Sequence, residues 1–297
     1  MADIMKKQYY ICTDSSCDLP PYYYDEPLFR VVALTFEVNG TEYYNRPDGG
    51  ISSRELCEMM RGGATPRTSQ ITPARWCEEF EPMLDEGADI LLLGFSSGLS
   101  GSTGAAVVAA NLLTEKYPEQ KIIAVDTLAA SLGQGMLVHL VLKKRSEGAS
   151  LEEAAEYARS IVQKICHYFT VDDLVYLLRG GRVSRTSAAL GSILGIKPIL
   201  NVDAEGRLIP IAKVRGRKAS LEALLKKMTA KLKNNPAPEI VFISHADCED
   251  EANNMADEVK KRFGAKETLI HSIGPVITAH AGPGTMAIFF MAESRNE

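Results

Sequence analysis

Residues 94–98 (GFSSG) follow an apolar run and have the G-x-S-x-G spacing that places a serine on a sharp turn between a strand and a helix. In such a turn Ser96 would be the nucleophile. Asp126 or Asp247, and then His280, follow it in the chain order that an α/β-hydrolase uses for its acid and its base. One interpretation of these residues is therefore a serine hydrolase that acts through Ser96 and His280.

The residues after Ser96 favour a different interpretation of the same loop. A nucleophile elbow passes directly into its helix, whereas residues 99–102 (LSGS) extend this loop before any helix begins. Loops at the carboxyl ends of parallel strands are the places where α/β folds bind ligands. We therefore favour a hydroxyl-rich binding loop and expect that Ser96 is not a nucleophile.

Two more hydroxyls, Thr68 and Ser69, precede a predicted helix. Thr72 is a favoured helix cap and Pro73 suits the first helical position, so the helix is predicted to begin there. Hydroxyls beside a helix N-terminus can join backbone N–H groups in holding an anion. The alternative is that they only cap the helix.

Residues 178–187 (LRGGRVSRTS) combine three arginines with three hydroxyls around a pair of glycines. Guanidinium groups bind carboxylate and phosphate through paired hydrogen bonds, so Arg182 is a candidate ligand for either anion. A solvated basic loop fits the same composition. A second basic stretch, residues 213–218 (KVRGRK), has the same ambiguity and is more typical of a surface.

His280 lies in residues 274–284 (GPVITAHAGPG), where three glycines and two prolines predict a stiff loop between two strands. An isolated histidine is more often structural than functional. A histidine in a rigid loop at a strand end is a better candidate for chemistry, because loops on a fixed scaffold carry many functional groups. Both interpretations stay open on this pattern alone.

The elements that must position these residues fall into two series. In the first, a strand at 8–13, a hairpin within 30–44 around Asn39-Gly40, and alternating strands and helices from 72 to 147 predict a doubly wound α/β domain. In the second, from a strand at 166–171 onwards, a hairpin at 197–214 and helices at 220–232 and 250–263 predict an α+β domain. We place the boundary at residue 165, which gives domains of residues 1–165 and 166–297.

Composition narrows the classes of function. The chain has 297 residues, of which 45% are hydrophobic, and a formal net charge of −5, which gives no global attraction to nucleic acid. Residues 1–7 lack the apolar run of a signal peptide, and no stretch approaches the roughly 20 apolar residues of a membrane span. Six cysteines without C-x-x-C spacing predict free thiols, no structural zinc and a cytoplasmic protein.

Taken in order, these motifs resemble the DegV family of bacterial fatty-acid-binding proteins. The matching segments run from the first strand almost to the last: residues 13–20 (TDSSCDLP), 68–70 (TSQ), 96–102 (SSGLSGS), 126–127 (DT), 131–135 (SLGQG), 176–182 (YLLRGGR), 197–200 (KPIL), 213–217 (KVRGR) and 274–284. Two residues depart from the usual pattern: Cys17 replaces a small residue, and Ile71 replaces the common proline after TSQ.

The resemblance implies a Rossmann-like N-terminal domain, an α+β C-terminal domain and an acyl chain buried in a slot between them. It implies that Thr68 and Ser100 hydrogen-bond the carboxylate, with Ser69 and Ser97 as the neighbouring alternatives, and that Arg182 and His280 lie near it. The sites named are these six: Thr68, Ser69, Ser97, Ser100, Arg182 and His280.

The same resemblance implies a function without catalysis by the chain itself. Such a protein presents a long-chain fatty acid to a separate fatty acid kinase, and the acyl-phosphate that forms feeds phospholipid synthesis. It implies no cofactor other than the bound lipid. We also expect no nucleic-acid partner, and the function is compatible with transient contact with a membrane.

Overall fold

The computed structural model describes residues 7–184, 195–233 and 235–295. Its strands form three sheets. In chain order they are β1 (Tyr9–Asp14), β2 (Phe29–Val32), β3 (Thr35–Val38), β4 (Thr41–Tyr44), β5 (Arg67–Ser69), β6 (Asp89–Gly94), β7 (Ile122–Asp126), β8 (Ile165–Thr170), β9 (Ile196–Val202), β10 (Leu208–Arg215), β11 (Ile240–His245), β12 (Glu267–Ser272) and β13 (Met286–Met291).

Three of the α-helices of the described residues begin at a side-chain cap, from Ser52, Thr72 and Ser150. For example, Thr72 accepts a hydrogen bond from the N–H of Arg75, as its predicted cap role requires. None of the described α-helices is long and apolar enough to span a bilayer. They are α1 (Ser53–Arg61), α2 (Pro73–Asp85), α3 (Ser102–Thr114), α4 (Leu132–Ser146), α5 (Leu151–Ile161), α6 (Val175–Arg179), α7 (Arg217–Leu232), α8 (Glu249–Phe263) and α9 (Pro275–Ala281).

The first sheet is parallel throughout, in the order β2-β1-β6-β7. Helices cover both of its faces, because side chains of β6 point alternately into two cores. Leu91 and Leu93 pack with residues of α4 and α5, whereas Ile90 and Leu92 pack with residues of α2 and α3. Burial on both faces explains why β6 is an uninterrupted apolar run, and the predicted doubly wound α/β arrangement is confirmed.

The second sheet has six strands in the order β10-β9-β8-β13-β11-β12 and is mostly antiparallel. Helix α4 contacts its inner face at β8, β11 and β13 and also contacts β6, so this helix lies between the two large sheets. Helices α7 and α8 cover the other face. The sheet is built from residues that follow residue 164, which agrees with the predicted boundary, although the division into domains at residue 165 stays a prediction.

The third sheet differs in part from the sequence prediction. Asn39 and Gly40 have φ of 51° and 79°, as a tight hairpin requires, and they join β3 to β4. The earlier part of the predicted hairpin, β2, belongs instead to the parallel sheet. The short strand β5, which the sequence did not reveal, completes this sheet by pairing with β3.

The segment 274–284, predicted as a loop, contains helix α9. Pro275 occupies its first turn and Gly282, with φ of 84°, follows its end, so this proline and this glycine mark the boundaries of a helix. Helix α1 was not predicted at all, although Ser52 and Glu55 form a full capping box at its start. Sequence analysis therefore missed two short helices, α1 and α9.

Candidate functional site

A cavity of about 300 Å³ lies between the parallel sheet and the inner face of the six-stranded sheet. Loops that follow β6 and β7 form one wall, with Phe95, Leu99 and Ala130 facing inwards. The volume falls at the lower end of the range of about 300–1,000 Å³ that ligand pockets span. The position is the one expected in an α/β fold, at the carboxyl ends of parallel strands.

The floor of the cavity is one face of the six-stranded sheet. On β8 and β13 the register pairs His167 with Phe289 and Phe169 with Ala287, and all four side chains line the cavity. On the next strand Ser244 pairs with Ala287 and lines it as well. This floor is therefore mostly apolar and aromatic.

Polar groups gather where β5 meets α9. Thr68, on β5, and His280, in the last turn of α9, form a hydrogen bond of 2.8 Å between Oγ1 and Nε2. The two residues are 212 positions apart in the sequence. The contact therefore joins the small three-stranded sheet to the C-terminal part of the chain at the cavity wall.

His280 is held neutral by its surroundings. Burial, and then the nearby Arg182 guanidinium, lower the pKa of the imidazole from 6.5 to about 4. Its Nδ1 is buried without a hydrogen-bond partner among the described residues. A Cβ on Gly180 would lie 2.2 Å from Nδ1, so the imidazole occupies space that only a glycine leaves free. The φ of Gly180 is an ordinary −71°, which makes the requirement steric.

The hydroxyl of Ser100 lies at the start of α3. Its Oγ is 3.0 Å from the Oγ of Ser102 and accepts a hydrogen bond from the backbone N–H of that residue. Gln70 packs against Gly101 so closely that a Cβ there would lie 2.2 Å from Oε1. This packing brings the segment of Thr68 and Ser69 beside the Ser100 loop. The cavity is lined here by Thr68, Ser69, Gln70, Ser100 and Gly101.

Arg182 lies at the same polar end. Its guanidinium donates to the carbonyl oxygens of Leu99 and Gly180, so it is fixed between the Ser100 loop and the glycine that supports His280. The side chain is half-buried, and burial lowers its pKa. Its hydrogen bonds therefore end on neutral carbonyl oxygens, which leaves the positive charge available to an anion.

Five of the six predicted site residues line this cavity: Thr68, Ser69, Ser100, Arg182 and His280. Ser97 does not belong to the lining. It is exposed, and its backbone N–H points to the carboxylate of Asp126 at 3.3 Å. Between the two alternatives in this loop, the geometry favours Ser100.

The hydrolase interpretation of Ser96 and His280 is wrong. Ser96 is fully buried, and its Oγ donates to the carbonyl oxygen of Gly206 at 2.8 Å. The Nε2 of His280 is bonded to Thr68 instead, while Asp247 pairs with Arg61. The extended loop that follows Ser96 carries Ser100 into the cavity and leaves Ser96 to join two backbone segments.

Sequence analysis missed three polar groups of the cavity: Ser244 on β11, His167 on β8 and Thr285 just before β13. His167 lies in the short apolar run of residues 165–171, which is typical of a strand buried on both faces. A histidine inside such a run, on the same face as Phe169, is the signal that could have identified it. Ser131, just before α4, also lines the cavity and was noted only as part of the 131–135 motif.

The structure places the two basic stretches of the sequence differently. Of residues 178–187, Arg185, Thr186 and Ser187 lie outside the described residues. In the second stretch, Arg217 begins α7 and pairs with Glu251, so it belongs to an ion pair away from the cavity.

Comparison with known proteins matches this geometry. The model of the DegV family, described as a family of uncharacterised proteins, matches residues 8–293. A DegV domain-containing protein of Clostridium perfringens is 39% identical over 289 residues, which cover 97% of this chain and 99% of that protein.

Two solved structures extend the comparison to ligands. A DegV family protein of Thermus thermophilus, described by its fatty acid binding, is 31% identical, with a TM-score of 0.87 over 96% of this chain and 99% of that one. A stearic-acid-binding protein of Eubacterium ventriosum is 25% identical, with a TM-score of 0.88 over 96% of this chain and 99% of that one. Structures of this family thus bind fatty acids as ligands, and the chain described here belongs to the DegV family.

Proposed function

We propose that this protein binds a long-chain fatty acid in the cavity and presents its carboxylate to a separate fatty acid kinase. The observation that carries the proposal is the division of one cavity into a polar end, with Thr68, Ser100, Arg182 and His280, and an apolar floor. The fatty acid ligands of the Thermus and Eubacterium proteins support it.

The two ends suit the two parts of a fatty acid. Each buried CH₂ group of an acyl tail contributes about 0.8 kcal/mol to binding, so the apolar floor supplies most of the affinity. A carboxylate is costly to bury unless hydrogen bonds compensate. Hydroxyl donors from Thr68 and Ser100, with Ser69 at the exposed edge, would provide those bonds, and the Arg182 guanidinium would provide the opposite charge.

The hydrogen bond between His280 and Thr68 prepares the threonine for this role. A neutral imidazole that carries its proton on Nε2 donates to Oγ1, and the threonine hydroxyl then has its own proton free to donate to a carboxylate. A protonated imidazole would bring a second positive charge beside Arg182. The low pKa of His280 therefore favours the arrangement in which His280 orients Thr68.

In the proposed reaction the kinase supplies the nucleotide and the catalytic groups. A carboxylate oxygen attacks the terminal phosphorus of ATP, the bond to the ADP oxygen breaks, and an acyl-phosphate forms. Negative charge develops on the transferred phosphoryl group, where Arg182 would stabilise it. We place this activity in the bacterial cytoplasm, upstream of phospholipid synthesis, with transient membrane contact for loading of the lipid.

Extraction of the purified, denatured protein followed by lipid mass spectrometry tests the binding step. The expected result is about one fatty acid per chain. Protein that contains no lipid, and that fails to take up added palmitate or oleate, would contradict the proposal. Formation of acyl-phosphate only when kinase, ATP and loaded protein are combined tests the presentation step.

A further inference from the structure

His167 is a buried polar group that the proposed head-group site does not use. It is 2% exposed and lines the cavity from the floor, yet neither Nδ1 nor Nε2 has a hydrogen-bond partner among the described residues. A neutral imidazole presents one N–H donor and one acceptor. Buried polar groups without a hydrogen-bond partner are costly and rare in folded proteins. We therefore expect a group inside the cavity to form a hydrogen bond with His167.

Packing holds this imidazole in one orientation. Phe289 meets the ring edge-on, with 5.5 Å between ring centroids. On the other side, a Cβ on Gly133 would lie 2.2 Å from Cδ2 and 2.3 Å from Nε2, so the start of α4 fits closely against the ring. A group held this tightly is already arranged to bind, because little further order is lost when a partner arrives.

The neighbouring hydroxyls already have partners. Ser131 donates to the Asp18 carboxylate at 2.6 Å, and its Oγ lies 3.2 Å from that of Ser244. Both serines line the same cavity as His167. Among the described residues in this part of the cavity, His167 therefore lacks hydrogen-bond partners, whereas Ser131 and Ser244 have them.

We propose that His167 recognises an oxygen substituent, a hydroxyl group, partway along the acyl chain, so that the preferred ligand is a hydroxylated fatty acid. This inference rests on the proposed function. A hydroxyl both donates and accepts, and it satisfies either nitrogen of a neutral imidazole. Burial lowers the pKa of His167 well below 6.5, so the ring stays neutral and suits an uncharged partner.

The strand geometry gives an approximate separation between the His280 end of the cavity and His167. The hydroxyl of Thr285 donates to the carbonyl of Ala281, so Thr285 lies beside the His280 end of the cavity. Phe289, the neighbour of His167, is four residues further along, which is about 13 Å at the rise of a strand. An extended chain advances about 1.2 Å per bond, so a hydroxyl that reaches His167 would lie near the middle of a chain of stearate length and far from the carboxylate.

The test compares three ligands on delipidated protein: stearate, 10-hydroxystearate and 3-hydroxystearate, each measured by displacement of a fluorescent fatty acid. Wild-type protein should bind 10-hydroxystearate at least as tightly as stearate, since a hydroxyl buried without a partner would weaken binding by about five-fold or more. Weaker binding of 10-hydroxystearate by that factor would overturn the inference without any variant.

Variants of His167 locate the interaction. In His167→Phe the ratio of the dissociation constants of 10-hydroxystearate and stearate should rise by about ten-fold, because the hydroxyl then lacks its partner. His167→Gln, which also donates and accepts, should restore most of the wild-type ratio. The ratio for 3-hydroxystearate should be the same in all three proteins, and Ser97→Ala, outside the cavity, should change neither ratio.

The outcomes separate the two proposals. If stearate binds tightly but the 10-hydroxystearate ratio is the same in wild type, His167→Phe and His167→Gln, then a water molecule satisfies His167 and this inference alone is wrong. If no fatty acid binds to the wild-type protein, the proposed function is wrong and the inference fails with it.

Discussion

The cavity contains two histidines that burial keeps neutral, and their surroundings differ in almost every other respect. His280, at the polar end, is bonded to Thr68 and lies beside the Arg182 guanidinium. His167, on the floor, meets Phe289 edge-on and has no hydrogen-bond partner among the described residues, and its pKa is lowered by burial and then by Arg295. Each ring is packed against a glycine, Gly180 for one and Gly133 for the other.

The difference shows that the neighbours of an imidazole, and not its protonation state, decide which ligand group it can serve. Next to a guanidinium and several hydroxyls, a neutral histidine can orient donors towards an anion. Against Phe289 and Gly133, where it makes no hydrogen bond to the described residues, the same neutral ring suits an uncharged group that can both donate and accept. Changes at the two ends should therefore affect different properties of the protein.

The largest effect should come from Arg182→Ala. If Arg182 stabilises the transferred phosphoryl group as proposed, loss of its guanidinium should slow kinase-dependent acyl-phosphate formation by about 100-fold or more. The bound fatty acid should be retained, because the tail supplies most of the affinity. Lipid content by mass spectrometry and acyl-phosphate formation with the kinase measure the two properties. Arg179→Ala, at an exposed arginine outside the cavity, is the control. Equal loss of lipid and of activity would mean that Arg182 is structural.

The next effect concerns the hydroxyls at the polar end. Thr68→Val or Ser100→Ala removes one hydrogen bond to a charged group, about 1.5–3 kcal/mol, which is roughly a ten- to hundred-fold loss of fatty acid affinity. The double variant need not show the sum, since the carboxylate can then bind water or take up a proton. A neutral fatty alcohol should be affected much less.

Displacement of a fluorescent fatty acid measures both ligands on each variant, with Ser97→Ala as the matched control on the same loop. Wild-type affinity for fatty acid in all three hydroxyl variants would show that the carboxylate is held elsewhere. Loss of the fatty alcohol to the same degree as the acid would show that the substitutions deform the cavity as a whole.

Much of this architecture follows from patterns in the sequence, whereas the polar end of the cavity follows from the family resemblance. The run of residues 89–95 predicted a strand buried on both faces, and Thr72 with Pro73 predicted the start of α2. The G-x-S-x-G pattern around Ser96 was correctly set aside, because residues 99–102 lengthen the loop. The gathering of Thr68, Ser100, Arg182 and His280 could be anticipated only from the family resemblance, since their contacts span up to 212 positions.

The remaining features depend on long-range packing that local patterns do not contain. The strand β5 forms because it pairs with β3. Its three residues are too few to show the alternation of apolar and polar residues that predicts a strand. His167 became a candidate only when the register showed which residues face the cavity with it. Helix α9 was not predicted, because the glycines and prolines of its segment are also typical of a loop.

A smaller effect should follow from the glycines that support the two rings. Gly180→Ala and Gly133→Ala each place a methyl group about 2 Å from an imidazole atom, and such overpacking typically costs about 1–3 kcal/mol of stability. Chemical denaturation measures this loss. Gly104→Ala in α3, where a Cβ would meet nothing within 4 Å, should be neutral or stabilising. If Gly180→Ala is as stable as Gly104→Ala, His280 moves freely and does not hold Thr68 in place.

The smallest effect is the pH dependence of stability that the two buried histidines give to the lipid-free protein. A histidine whose folded-state pKa lies below 6.5 binds fewer protons when folded, so acidification through 6.5 favours unfolding. For His280, with a pKa of about 4, this loss amounts to about 1 kcal/mol between pH 7 and 5.5 and levels off below pH 4.

Burial, and then Arg295, lower the pKa of His167 well below 6.5, so its contribution to stability should likewise be lost as the pH falls through 6.5. Urea denaturation of wild type, His280→Gln and His167→Phe from pH 7 to 3.5 measures the difference between each variant and wild type. Each variant should lose about 1 kcal/mol less than wild type between pH 7 and 5.5. For His280→Gln the difference should level off below pH 4. A difference of zero for His280→Gln would mean that His280 titrates normally when folded, and that a charged imidazole shares the polar end with Arg182.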